Sequence, residues 1–153
     1  MSETTGIHAA MIGILADLPA ITKEQWNKGQ KYNFRGIDQF LNTLHPLFAK
    51  HHVFVTPLVE HVERSEKIGT RYNSSKGANE EYITFYSVAT VRFRFHAEDG
   101  SSVDCITVGE GMDNGDKATN KALSAAFKYA LMQTFAVPTE DMIDGDAESP
   151  EVT

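Results

Sequence analysis

The sequence holds a single cysteine, Cys105, so no disulfide can form within the chain, and nothing calls for an oxidising compartment. Its apolar neighbours make Cys105 a small buried strand residue by expectation. No apolar run approaches the roughly 18 residues of a membrane span. The opening stretch MSETTGIHAAMIGILADLP has no basic residues ahead of its apolar part and no small-residue cleavage site. It reads as an amphipathic helix, not a secretory signal. Basic residues are missing from the last fifteen positions, where Glu140, Asp141, Asp144, Asp146, Glu148 and Glu151 stand. Residues 140–153 are therefore expected to be a disordered acidic tail behind a single domain spanning 1–139. Removing those six acids from the formal net charge of −7 leaves −1. A near-neutral body can still attract a polyanion if its cations share one face.

Chemical signatures are scarce as well. The segment GEGMDNGDKA lacks the spacing of a phosphate-binding loop, because only three residues separate Gly111 from Gly115 and Asp116 precedes Lys117. Asp113 and Asp116 stand where carboxylates cap a helix, and there they would repel a phosphate. Glu110, Asp113 and Asp116 follow no metal-ligand pattern. The six histidines show no metal spacing, and His51 and His52, being adjacent, cannot share a helix face. No nucleophile is accompanied by a base. The chain is therefore expected to be neither an enzyme nor the holder of a cofactor.

What remains is a regular pattern of elements. Residues 5–18 place Ile7, Met11, Ile14, Leu15 and Leu18 at helical spacing, with Pro19 ending the pattern. Residues 19–35 read as irregular and polar. From Gly36 a second helix presents Ile37, Phe40, Leu41, Leu44, Leu47 and Phe48 on one face, with a kink or an end expected near Pro46. Residues 53–63 read as a strand in which Pro57 indicates an edge position or a bulge. The polar stretch 65–81 reads as a mobile loop. Residues 82–96 alternate, with Ile83, Phe85, Ala89, Val91, Phe93 and Phe95 on one face and Thr90, Arg92 and Arg94 on the other. A turn at 98–100 leads into a third strand, 102–109. A glycine-rich link then precedes the strongest helix, about 116–135. The expected fold is α+β: a three-stranded antiparallel sheet in a β-β-β-α core, two N-terminal helices, and the long C-terminal helix packed on one face.

That last helix carries the functional reading. Lys117, Lys121, Ser124 and Lys128 fall at i, i+4, i+7 and i+11, so the three ammonium groups form one stripe roughly 16 Å long. Ala118, Ala122, Ala125 and Ala126 lie in other directions and would let the helix approach the sheet closely. A lysine row also marks the wet face of any amphipathic helix. This row, however, has no acid among its own residues with which to pair, and it runs in a line, as a phosphate backbone does. Residues 26–35 (WNKGQKYNFR) interleave cations with flat rings, the composition that stacks unpaired bases without reading them. Arg92 and Arg94 have a competing use, pairing with Asp104 across the hairpin. Lys67, Arg71 and Lys76 offer a second, weaker contact surface.

Two blocks, YNFRGIDQFLNTLHPLFAKH (32–51) and GEGMDNGDKATNKALSAAFKYALMQTFAVPTE (109–140), make the chain resemble the ERF (essential recombination function) family of phage single-strand annealing proteins. The likeness covers about residues 5–140. It implies ATP-independent annealing during phage recombination in the bacterial cytoplasm, a β-β-β-α core shared with Rad-type and Red-type annealing proteins, and assembly into rings or filaments. In such relatives, the resemblance further implies, basic residues at the start of the helix before the sheet and late in the long helix line a groove. Arg35 and Lys128 match those positions, while Tyr129 falls where some relatives carry another cation. The expected DNA-binding set is Arg35, Lys117, Lys121 and Lys128, with Lys31, Tyr32, Phe34 and Tyr129 beside them. Expected partners are single-stranded DNA, further copies of the chain, and a host single-strand binding protein or a phage exonuclease. The rival reading is an adaptor or inhibitor that acts through its acidic tail on a DNA-binding partner.

Overall fold

The computed structural model describes residues 5–21 and 36–138, and the backbone of 25–27 and 32–34. The elements are α1 (Ile7–Asp17), β1 (Gln25–Asn27), β2 (Tyr32–Phe34), α2 (Ile37–His51), β3 (Phe54–Asn73), β4 (Ala78–His96), β5 (Ser102–Asp113) and α3 (Ala118–Thr134). Strands β3, β4 and β5 form an antiparallel sheet in that order. The α+β class and the order of its main elements are those expected. In place of wholly irregular chain between the first two helices there is a two-stranded antiparallel ladder, Gln25 opposite Phe34 and Asn27 opposite Tyr32. The acidic segment 140–153 lies outside the described residues.

The chain divides into two compact units. The first combines residues up to Val55 with Phe95–Val103 and the chain from Leu131 onward. Its core is aromatic: Phe48, Phe95 and Phe135 meet with ring centroids 5.6–6.3 Å apart. Ile7, Ala10 and Ile14 on α1 and Phe40 and Leu44 on α2 are buried at helical spacing, whereas Leu15, expected on the buried face of α1, is exposed. Helix α2 continues past Pro46 to His51 and stops at His52, which adopts the left-handed conformation (φ 58°). Gly6 offers α1 no capping side chain, and the turn before β5 supplies one: the Ile7 amide donates to Ser101 Oγ at 2.8 Å. Lys50 and His51 donate to Asp17 at 2.8 and 2.7 Å, tying together the ends of both helices. Those hydrogen bonds, Lys50 first and then His51, hold the Asp17 carboxyl below its ordinary pKa.

The second unit comprises Thr56–Arg94 and Asp104–Ala130. Ser87, Ala89, Val91 and Phe93 of β4 are buried on one face, where Phe93 stacks on Phe127 of α3 at 5.1 Å. The stretch 65–81 is not a loop: β3 and β4 continue through it as a hairpin turning at 74–77. Asn73 Oδ1 accepts the amides of Ser75 and Lys76, and Gly77 takes a positive φ of 64°. Farther along the hairpin Glu80 accepts from Arg71 and Asn73, and Arg71 stands over the Tyr82 ring at 5.2 Å. Almost all of β3 is exposed on both faces. A strand with no buried face has no reason to alternate polar and apolar residues, which is why periodicity did not reveal the part of β3 beyond Glu63. The edge position indicated by Pro57 is the one β3 occupies.

Candidate nucleic-acid interface

Helix α3 stands on the sheet through its smallest residues. Ala118, Ala122, Ala126 and Ala130 are fully buried at intervals of four. Facing them are Gly109 and Gly111 of β5, a segment expected as a glycine-rich link but found as strand through Asp113. A Cβ on Gly109 would lie 2.0 Å from the Ala122 carbonyl oxygen, and one on Gly111 2.3 Å from that of Ala118. These glycines therefore permit backbone-to-backbone approach and cradle no phosphate. Thr107 Oγ1 adds a buried hydrogen bond to the Ala126 carbonyl at 2.7 Å, and Ser87 and Thr119 join their hydroxyls at 3.0 Å. The sequence carried the signal, two glycines at i and i+2 opposite alanines at i and i+4. Read as punctuation, the glycines concealed it.

Close seating of one side of α3 sends its polar side outward. Lys117, Asn120, Lys121, Ser124 and Tyr129 are exposed, and Lys128 is half-buried. The stripe is not free of carboxylate, as expected from the helix alone, because Asp113 reaches it from the end of β5. Lys121 Nζ donates to Asp113 Oδ1 at 2.8 Å and to the Met112 carbonyl at 3.1 Å. The other Asp113 oxygen accepts the amides of Gly115 and Lys117 at 3.0 and 3.2 Å, closing the N-terminus of α3 as the capping reading required. Lys121 foremost, then the Lys117 and Gly115 amides, lower the Asp113 pKa, so the group is an anion at any physiological pH. Among the described residues no carboxylate pairs with Lys117 or Lys128. Lys128 Nζ lies 5.2 Å from the centre of the Tyr129 ring, a cation–π contact that leaves its charge intact.

The other cations divide clearly. Arg92 pairs with Glu60 (2.6 Å) and Asp104 (2.9 Å), and Arg94 grips Asp104 through two nitrogens at 2.7 and 3.0 Å. Arg94 first and Arg92 second hold the Asp104 carboxyl far below the usual range. The hairpin-pairing use of these arginines is thus the observed one. Arg71 and Lys76 share Glu80, whereas Lys67 has no ion pair among the described residues. Cys105 is half-buried on β5, more open than expected. Lys31 and Arg35, together with the side chains of Tyr32 and Phe34, lie outside the described residues. No group of three or more histidine, cysteine or acidic residues able to hold a metal occurs among those described. No helix among them is long and apolar enough to cross a membrane.

The model of the ERF superfamily matches residues 7–152. The chain belongs to the ERF superfamily. Membership places it among recombination and annealing proteins and bears out the resemblance carried by the two sequence blocks. The ERF match runs through the sheet, the close-packed α3 and the acidic segment alike. A search of curated proteins finds no match to the sequence.

Proposed function

We propose that this ERF-family chain binds single-stranded DNA along the outer face of α3 and anneals complementary strands without nucleotide hydrolysis, as a non-enzymatic recombination protein of the bacterial cytoplasm. The observation that carries the reading is Lys117, immediately ahead of α3, and Lys128 on the outward side of that helix, each with no carboxylate partner among the described residues. Lys121 between them is held by Asp113 and contributes less. Cations spaced along a helix engage successive phosphates and leave the pairing edges of the bases open, which is what a second strand needs. The exposed ring of Tyr129 adds a stacking surface beside Lys128. Arg35, Lys31, Tyr32 and Phe34 complete the proposed interface on the strength of family resemblance and composition. Single contacts of this kind are weak, so the reading includes several copies of the chain acting on one strand. A host single-strand binding protein or a phage exonuclease would deliver that strand.

Fluorescence anisotropy with a labelled oligonucleotide tests the interface. Lys117→Ala, Lys128→Ala and Arg35→Ala should each weaken binding whatever the base sequence. Each should also lower the slope of log affinity against log salt by about 0.7. Lys121→Ala should do less. A strand-exchange quench assay on complementary oligonucleotides should show the same ranking for annealing. Unchanged affinity at low salt for all three variants would place the DNA elsewhere.

A further inference from the structure

Helix α3 covers one face of the sheet, and on the opposite face apolar side chains stand in solvent. Alternation along the strands assigns them. Ser87, Ala89, Val91 and Phe93 of β4 are buried on the α3 side, and Thr107, Gly109 and Gly111 of β5 meet that helix. Tyr86 and Val88 of β4, and Ile106, Val108, Glu110 and Met112 of β5, therefore point the other way. Ile106, Val108 and Met112 are 49, 51 and 60% exposed. Six residues of strand at about 3.3 Å each make this stripe roughly 20 Å long. A contiguous apolar surface of that kind marks an interaction site on a soluble protein.

At its Met112 end the stripe opens into a hollow of about 410 Å³ lined by Ser65, Tyr86, Val88, Glu110 and Met112, with the backbone of β4 and β5 as its floor. Glu110 is the one charged residue lining it, and among the described residues its carboxylate has neither an ion pair nor a hydrogen bond. Farther along the same face the charges are settled, Arg92 and Arg94 against Glu60 and Asp104. The chemistry of an occupant follows from these features. Strand β4 is paired on both sides, so the face offers side chains and no free ladder. A small metabolite in the hollow would leave Ile106 and Val108 in water. An amphipathic helix covers a sheet face along its whole length.

We propose that this face docks an amphipathic helix of a protein partner, with its apolar stripe along Ile106, Val108 and Met112 and an arginine or lysine seated in the hollow against Glu110. At 1.5 Å per residue, about 14 residues of helix span the stripe. Tyr86 and Met112 give the aliphatic stem of the cation apolar walls, and Glu110 meets its charge. The face lies across the sheet from α3, so its occupant does not compete for Lys117 or Lys128, and the proposal stands apart from the DNA reading.

The probe is a synthetic amphipathic peptide of about 14 residues, with leucines one helical turn apart and one arginine a turn beyond them. A second peptide carries glutamate in place of the arginine. Each is titrated into the full chain labelled with carbon-13 at its methionine methyls. The arginine peptide should shift the Met112 methyl saturably, and the glutamate peptide should bind at least about tenfold more weakly. This comparison uses unmodified protein and is independent of variant folding. Glu110→Gln should abolish the preference, Glu110→Lys should reverse it, and Val108→Lys should stop both peptides. Saturating peptide should leave affinity for a labelled single strand unchanged. The proposal is overturned if neither peptide shifts Met112 at millimolar concentration, if both bind equally, or if Glu110→Lys keeps the original preference. Displacement of the strand by the peptide overturns the assignment to this face. A Met112 shift produced by concentrating the protein alone does the same, because a second copy would then be the occupant.

Discussion

Replacing Gly109 with alanine is a one-carbon change that tests how α3 is held. The added Cβ would lie 2.0 Å from the Ala122 carbonyl oxygen and 2.5 Å from the Ala126 nitrogen, where ordinary contact begins at 3.4 Å. The neighbour is helix backbone, which cannot rotate away, so α3 has to withdraw from β5 by more than an ångström or the strand has to bend. Overpacking of this kind costs about 1–3 kcal/mol. For a chain of this length that corresponds to a fall in Tm of roughly 3–10 °C. Circular dichroism melting at 222 nm reads it directly. Gly69→Ala is the comparison: its Cβ meets the Tyr82 ring, a side chain able to swing outward, and the loss should be smaller. Trimming the facing residues in Gly109→Ala/Ala122→Gly or Gly109→Ala/Ala126→Gly should restore nothing, because the clash is with main-chain atoms. A Gly109→Ala melt within a degree of wild type, or rescue by either double variant, would refute the close approach of strand and helix.

Asp113→Asn keeps an oxygen for the Gly115 and Lys117 amides but removes the negative charge beside Lys121. Affinity for a labelled single strand at low salt should rise by about two- to fivefold, in the range of one added phosphate contact, and a fall would mean that Asp113 helps to position the site. Asp104 has its folded pKa depressed by Arg94 and Arg92, so its stabilising effect is complete above the unfolded value near 3.9 and fades as pH drops through the lower folded value. Wild-type Tm should therefore fall more steeply than that of Asp104→Asn once the pH passes below about 4; parallel curves would show that the Arg92–Asp104–Arg94 cluster contributes nothing measurable.

The fold was legible wherever a face was buried. Phe40 and Leu44, or Val91, Phe93 and Phe95, announce their elements because burial selects the same residue class at every repeat. It was illegible where no such selection acts. In the hairpin beyond Glu63, β3 has no buried face, and pairing rests on backbone and on cross-strand groups such as Arg71 and Glu80, which any polar sequence could supply. The GEG segment misled for a different reason: glycine marks flexibility in one setting and close approach in another, and only the opposing helix decides. For the candidate site, periodicity placed Lys117, Lys121 and Lys128 on one side of α3, and burial of the alanine face agrees. Pairing of Lys121 escaped because its partner lies eight residues upstream in another element. A helix wheel accounts for neighbours at three and four, and for no others.

The net charge of −7 also bears on how binding would work. Among the described residues, several carboxylates are committed to cations nearby: Asp17 to Lys50 and His51, Glu60 to Arg92, Asp104 to Arg92 and Arg94, Glu80 to Arg71, Asp113 to Lys121. Those pairs are locally close to neutral, which leaves Lys117 and Lys128 as uncompensated positive points on α3. Screening confines their attraction to about 8 Å at physiological ionic strength. Farther away the chain as a whole is an anion and offers DNA no long-range steering. A single copy should therefore meet a strand slowly and hold it weakly. Repetition changes this, since each further copy adds its short-range contacts to a strand already held and loses less freedom in doing so. For a chain with this distribution of charge, the affinity that the proposed function requires would come from several copies on one strand.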